Sequence, residues 1–103
     1  MSSMPLEDAI RTRLTSLAGP VPFADIADHL ERDAVFVVAS TVSLVECGVA
    51  VAMDDVSRVE AWVATGELRK PSRAERDAWP NETTRRWMAV IVQPFVLVQD
   101  LPD

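Results

Sequence analysis

The sequence predicts an α+β domain in which helices cover one face of a small, mainly antiparallel sheet. Three observations carry that expectation. Leu6, Ile10, Leu14 and Leu17 recur at helical spacing near the N-terminus. The β-branched run Ala34-Val35-Phe36-Val37-Val38-Ala39 is too brief for a buried helix and is bounded by charge before it and Ser40-Thr41 after it. The stretch from Trp87 to Val98 is the most apolar of the chain and rich in strand-forming residues. No internal repeat and no Gly/Ser-rich linker divides the 103 residues, so 1–103 reads as one domain, with 1–4 expected to be disordered.

A first helix is expected over 5–18. Pro5 suits its first position, Glu7 and Asp8 complement the positive helix terminus, and Gly19-Pro20 supplies the stop. Pro22 opens a second helix over 23–32, with Phe23, Ile26, Ala27 and Leu30 on one face and Asp25, Asp28, His29 and Glu31 on the other. Ala34 begins a strand. Residues Ser43 to Met53 then satisfy two patterns at once. As a strand, Val45, Cys47, Val49, Val51 and Met53 alternate with Glu46, Gly48, Ala50 and Ala52. As a helix, Ser43-x-x-Glu46 is a capping box, and Val45, Val49, Ala52, Val56, Val59 and Val63 keep a 3-4 spacing. The valines, the interior Gly48 and the Asp54-Asp55 pair all lower helix propensity, so the strand is favoured and a hairpin is expected over 34–53.

A helix follows over 55–65, capped at Asp54 or Asp55, burying Val56, Val59, Trp62 and Val63 and ending at Gly66, a natural left-handed residue. Glu67 to Lys70 is expected to be extended. Ser72-x-x-Glu75 caps a short helix over 73–79 that Pro80-Asn81 terminates and Trp79 packs down. Strands fill 87–99, where Gln93-Pro94 either bulges an edge strand or divides two short ones.

Composition narrows the function classes. Ten basic and sixteen acidic residues leave a formal charge of −6, which repels phosphate backbones, and the basic pairs Arg69-Lys70 and Arg85-Arg86 are too small to compensate, so nucleic acid is not an expected partner. Cys47 is the sole cysteine, which excludes an intrachain disulfide and fits a reducing cytoplasm. The polar N-terminus carries no secretory h-region, and no apolar run approaches the ~20 residues a membrane helix requires.

No constellation amounts to a catalytic, cofactor or metal signature. Cys47 and His29 could form a nucleophile and base, but Cys47 lies in an apolar alternation where a small buried thiol is the ordinary reading. Asp25, His29 and Asp33 share a helical face at i, i+4 and i+8, a usable metal spacing that equally describes a solvated acidic face. Glycine-rich phosphate loops are absent, since Gly19, Gly48 and Gly66 stand alone. The candidate functional residues are Glu46, Asp54, Asp55, Arg86, Trp87 and Gln93. Glu46 heads them, because on a strand it would be a lone charge needing a partner such as Arg85, Arg86 or Gln93.

Some of these residues are familiar as a pattern. Leu44-Val45-Glu46 leading to Asp54-Asp55, Val59 and Trp62 before Gly66, and above all Trp87-Met88-Ala89-Val90-Ile91-Val92-Gln93-Pro94-Phe95-Val96-Leu97-Val98-Gln99 resemble a family of short bacterial proteins defined as a domain of unknown function. The resemblance runs from about Phe23 to Gln99. It departs from the family pattern at Asp33, where glycine is expected, and at Ser43, where aspartate is expected. Membership implies a bacterial cytoplasmic protein and transfers no activity, cofactor or catalytic residue.

The leading expectation is therefore a non-enzymatic interaction domain, docking to a protein partner or forming a homo-oligomer such as a homodimer through the 87–98 strand. The alternative is a small ligand-binding protein or enzyme with a carboxylate and arginine site around Glu46, Asp54 and Arg86. A third reading, an acidic mimic of nucleic acid, requires carboxylates gathered on one face.

Overall fold

The helical stripe near the N-terminus forms as expected: α1 spans Pro5–Leu17 in the computed structural model, which describes residues 5–101. The disorder expected at 1–4 lies outside the described residues. After α1 come β1 (Gly19–Pro22), a 3-10 turn (Phe23–Asp25), α2 (Ala27–Glu31) and β2 (Val35–Val38). Two consecutive helices follow, α3 (Leu44–Ala52) and α4 (Val56–Thr65), then β3 (Leu68–Arg69) and α5 (Arg73–Ala78), which runs into a 3-10 turn at Trp79–Asn81. The chain ends in β4 (Arg86–Val92) and β5 (Phe95–Asp100). The fold is α+β. Its five-stranded sheet has the order β1-β4-β5-β2-β3, and every pairing is antiparallel except that of β2 with β5.

Alternation along the strands divides the core in two. Val90 and Val92 of β4, Leu97 of β5, Val38 of β2 and Leu68 of β3 face α1 and α3, meeting Leu14, Leu44, Cys47 and Val49. On the other face Trp87 and Ala89, Val96 and Val98, and Val35 meet Ile26 and Leu30 of the α2 region and Trp79 after α5. Helices thus cover both faces of the sheet, where the sequence suggested one. The reason is visible in β4 and β5, whose runs of apolar residues on both faces are the pattern of strands buried on both sides.

Residues 44–52 form a helix, so the hairpin expected over 34–53 is corrected to one strand, 35–38, followed by α3. The Ser43 hydroxyl accepts the Glu46 N–H at 3.2 Å and caps the helix. Propensity misled at Gly48 and the valines because α3 is enclosed by α1, the sheet and α4, and its apolar residues point in nearly every direction. A helix buried all round loses the 3.6 period and imitates strand alternation. Gly48 lowers propensity for a purpose: a Cβ there would stand 2.9 Å from Leu14 Cδ1, so glycine permits the close approach of α1.

The expected helix over 23–32 is shortened at its start, because Gly19–Pro22 pairs with Arg86 to Ala89 as an edge strand and the helix proper begins at Ala27. The 87–98 stretch divides at Gln93-Pro94 into a β4–β5 hairpin, and each strand has a neighbour on both sides rather than presenting the edge considered for oligomerisation. Both departures from the family pattern find a local cause. Asp33 has φ 60, a left-handed conformation that glycine adopts freely and aspartate tolerates. Ser43 caps α3, a role aspartate fills equally well.

Candidate functional site

The site is assembled by the sharp turn between α3 and α4. Asp54 takes a left-handed conformation, φ 56, which reverses the chain within two residues. Asp55 then caps α4, its Oδ1 accepting the Arg58 N–H at 3.3 Å. This places α4 beside α3 and over the end of the sheet that carries β2 and β3. Between them runs a groove of about 270 Å³.

Apolar side chains make its walls. Ala50 and Val51 come from α3, Val56, Val59 and Val63 from α4, Leu68 from β3 and Leu97 from β5. Phe36 of β2 and Phe95 of β5 also line it, packed edge to face with centroids 5.4 Å apart. Three carboxylates, Asp54, Asp55 and Glu60, are the charged groups of the lining, and no cationic side chain contributes to it. The side chains of Asp54 and Glu60 are exposed and form no hydrogen bond or ion pair among the described residues.

α4 is under-covered. None of its ten residues is fully buried, and Val56 and Val63 remain 54% and 55% exposed although both belong to its apolar stripe. Trp62, on a different side of the helix, packs against the α1/α3 core and carries the Arg58 guanidinium 5.2 Å above its ring. The groove is therefore bounded by a helix whose remaining apolar surface, Val56 and Val63, has no cover among the described residues.

Glu46 lies elsewhere. It is half-buried on α3 and receives Arg11 of α1 through two bonds, Nε at 2.5 Å and Nη2 at 2.9 Å, a bidentate pair that also involves Glu7 and Asp8 around the same guanidinium. Arg11 holds the Glu46 carboxyl below its usual range despite the opposing cost of burial. The partner is thus Arg11, not Arg85, Arg86 or Gln93. The sequence offered the signal in the helical reading of 44–52, set aside in favour of the strand, and it is this helix that turns Glu46 toward α1.

Arg86 is exposed at the start of β4, opposite Pro22. Trp87 is buried to 1% exposure in the second core, where it meets Trp79 at 5.0 Å between centroids. Arg85 covers this pair, 4.7 Å from the Trp87 ring, and is itself held by Glu82 and Asp100. Gln93 is exposed in the β4–β5 turn and lines a second recess with Arg32, Asp33 and Phe95. The groove therefore gathers Asp54 and Asp55 from the sequence candidates, while Glu46, Arg86, Trp87 and Gln93 are distributed over other parts of the molecule.

Cys47 is fully buried, and burial pushes its thiol up to about 11. α2, which carries His29, packs through Leu30 on the opposite face of the sheet from Cys47. Asp33 is engaged by Lys70 and Arg76, and no group of three or more His, Cys, Asp or Glu able to hold a metal ion occurs among the described residues. Gln99, which in the sequence is only the end of the family motif, has a structural role that the pattern did not reveal. Gln99 donates both Nε2 protons, to the Ala39 carbonyl at 2.8 Å and the Val42 carbonyl at 2.7 Å, and so holds the loop that delivers Ser43 to the start of α3.

Fold and site together define a small α+β protein with helices on both sheet faces and an open apolar groove rimmed by carboxylates. The profile of the DUF2288 family, proteins of unknown function, matches residues 9–100, and the chain belongs to that family. Its structure is similar to the NMR solution structure of PA1075 from Pseudomonas aeruginosa, with 25% identity, a TM-score of 0.75, and coverage of 100% of this chain and 94% of that one. No match is found among the curated proteins. Among the described residues no helix is long and apolar enough to cross a membrane.

Proposed function

We propose that this protein is a non-enzymatic interaction domain of the bacterial cytoplasm, acting as one unit over 1–103, and that it docks another protein through the α3/α4 groove. The observation that carries this reading is the incomplete cover of α4: an amphipathic helix ordinarily buries its apolar stripe, yet Val56 and Val63 stand more than half exposed beside a preformed apolar recess. The sheet edges offer a partner much less. β3 has only two residues, and β1 carries Pro20 and Pro22, which lack the N–H needed for strand addition. A bacterial cytoplasmic setting is supported by the similarity to a Pseudomonas protein and by a single cysteine held as a thiol within the core.

Photo-crosslinking amino acids placed singly at Val56, Val63, Leu6 and Ile91, all exposed apolar positions, test the reading in cells. Protein adducts at position 56 that are lost when the exposed Val63 is changed to aspartate, and at position 63 when Val56 is so changed, support docking in the groove. Adducts of equal yield at all four positions, or at Leu6 and Ile91 alone, refute it.

A further inference from the structure

We infer that the groove receives a cationic amphipathic helix supplied by a different protein, an inference that rests on the groove being a docking site. Shape selects a helix. Val56, Val59 and Val63 line the groove at i, i+3 and i+7, Val56 and Val63 exposed and Val59 half-buried against the α1/α3 core, so this side of α4 extends about 10 Å, or two turns, at roughly 1.5 Å per residue. A second helix laid along it presents its own anchors at i, i+3 or i+4, and i+7 over the same length, the usual mode by which an apolar groove takes a helix. Phe36 and Phe95, packed edge to face in the lining, supply aromatic surface against which one large anchor rests.

Charge selects the sign and excludes a second copy. Asp54 and Glu60 flank the apolar ridge with unengaged carboxylates, Asp55 lies between them, and no lysine or arginine lines the recess. Lysine or arginine beside the anchors would meet these groups as the apolar surface closes. Two copies meeting groove to groove would instead set the same three carboxylates against each other in a chain already at −6. Arg58, the basic residue of α4, stands over Trp62 and does not line the groove.

The experiment is a nitrogen-15 NMR titration of the full chain with two synthetic 16-residue peptides. Both carry leucines at i, i+3, i+7 and i+10; one has lysine and the other glutamate at the flanking positions. Hexylamine serves as a third probe. The expected result is shift changes at Val56, Val59, Val63 and Phe95 with the lysine peptide, weakening between 50 and 500 mM salt. Asp54→Asn with Glu60→Gln should lower that affinity roughly tenfold. Val63→Asp, at an exposed position, should abolish it without altering the melting temperature. Equal binding of the glutamate peptide in the groove, or no effect of the double substitution, overturns the cationic inference and leaves the docking reading standing. Hexylamine binding there more tightly than either peptide overturns the helix. A concentration-dependent dimer abolished by Val63→Asp overturns the foreign partner. No groove shifts with any probe, together with a monomer, overturns the inference and the docking reading alike.

Discussion

Replacing Gly48 with alanine sets two effects against each other where α1 crosses α3. Alanine in a helix interior is about 1 kcal/mol better than glycine. The added Cβ, however, would stand 2.9 Å from Leu14 Cδ1, 3.4 Å from Val92 Cγ2 and 3.6 Å from Val90 Cγ1. Carbon atoms rest at about 3.5–4.0 Å, so the two valines barely respond while the leucine methyl must retreat by roughly 0.6 Å or more. Leu14 is the one residue of α1 that is fully buried among those described, so moving it disturbs the anchor of the whole helix. Overpacking of this kind costs about 1–3 kcal/mol. The expected balance is a net loss of about 1 kcal/mol, read as a lower urea midpoint at unchanged m value with tryptophan fluorescence as the probe. Leu14→Ala alone should cost about 2–4 kcal/mol. The double variant should cost less than the sum by at least about 1 kcal/mol, since alanine at 48 then meets no leucine methyl. A stabilised Gly48→Ala, or a cycle additive within about 0.3 kcal/mol, would refute the account of α1 docking.

Three further outcomes are expected. Arg69 and the Ser72 cap hold the Glu75 carboxyl at about 2, below its ordinary 4.5; a depressed folded-state value means that the stabilisation is present above pH 4.5 and is lost as pH falls toward 2. Glu75→Gln should therefore cost about 0.5–1 kcal/mol at neutral pH and flatten the loss of stability between pH 4.5 and 2, and an unchanged acid profile would contradict this. Gln99→Met removes the donor shared by the Ala39 and Val42 carbonyls and should cost about 1–3 kcal/mol, with faster amide exchange at the start of α3; equal exchange there would show that the loop is held by other means. Cys47, with its thiol at about 11, should react with a disulfide reagent at pH 8 only after unfolding, and since its folded-state value lies above the ordinary 9.0, the protein should lose stability as pH rises from 9 through 11; rapid labelling of the native protein would overturn its burial.

Local signals were enough wherever an element has one buried face or a strong boundary. The α1 stripe with its Gly19 stop, the Asp55 cap and Gly66 end of α4, and the Ser72 to Glu75 capping box are all short-range devices, and each forms where the spacing placed it. The α+β class followed from them together with the β-branched runs of β2, β4 and β5. Within the candidate site, Asp54 and Asp55 were legible because a turn between two helices demands residues that cap and tolerate left-handed backbone.

Only the tertiary structure decided the rest, and for one physical reason: the deciding contacts join residues far apart in the chain. Whether 44–52 is helix or strand depended on its enclosure by α1, the sheet and α4, with Gly48 letting Leu14 approach closely, which local propensity cannot report. The direction of Glu46 depended on Arg11, thirty-five residues away. The strand order depended on β5 lying beside β2, a parallel pairing that no turn between them dictates. The groove itself is a property of surfaces left over after packing. Its walls come from β2, α3, α4, β3 and β5, and the exposure of Val56 and Val63 appears only when every other element has found its place.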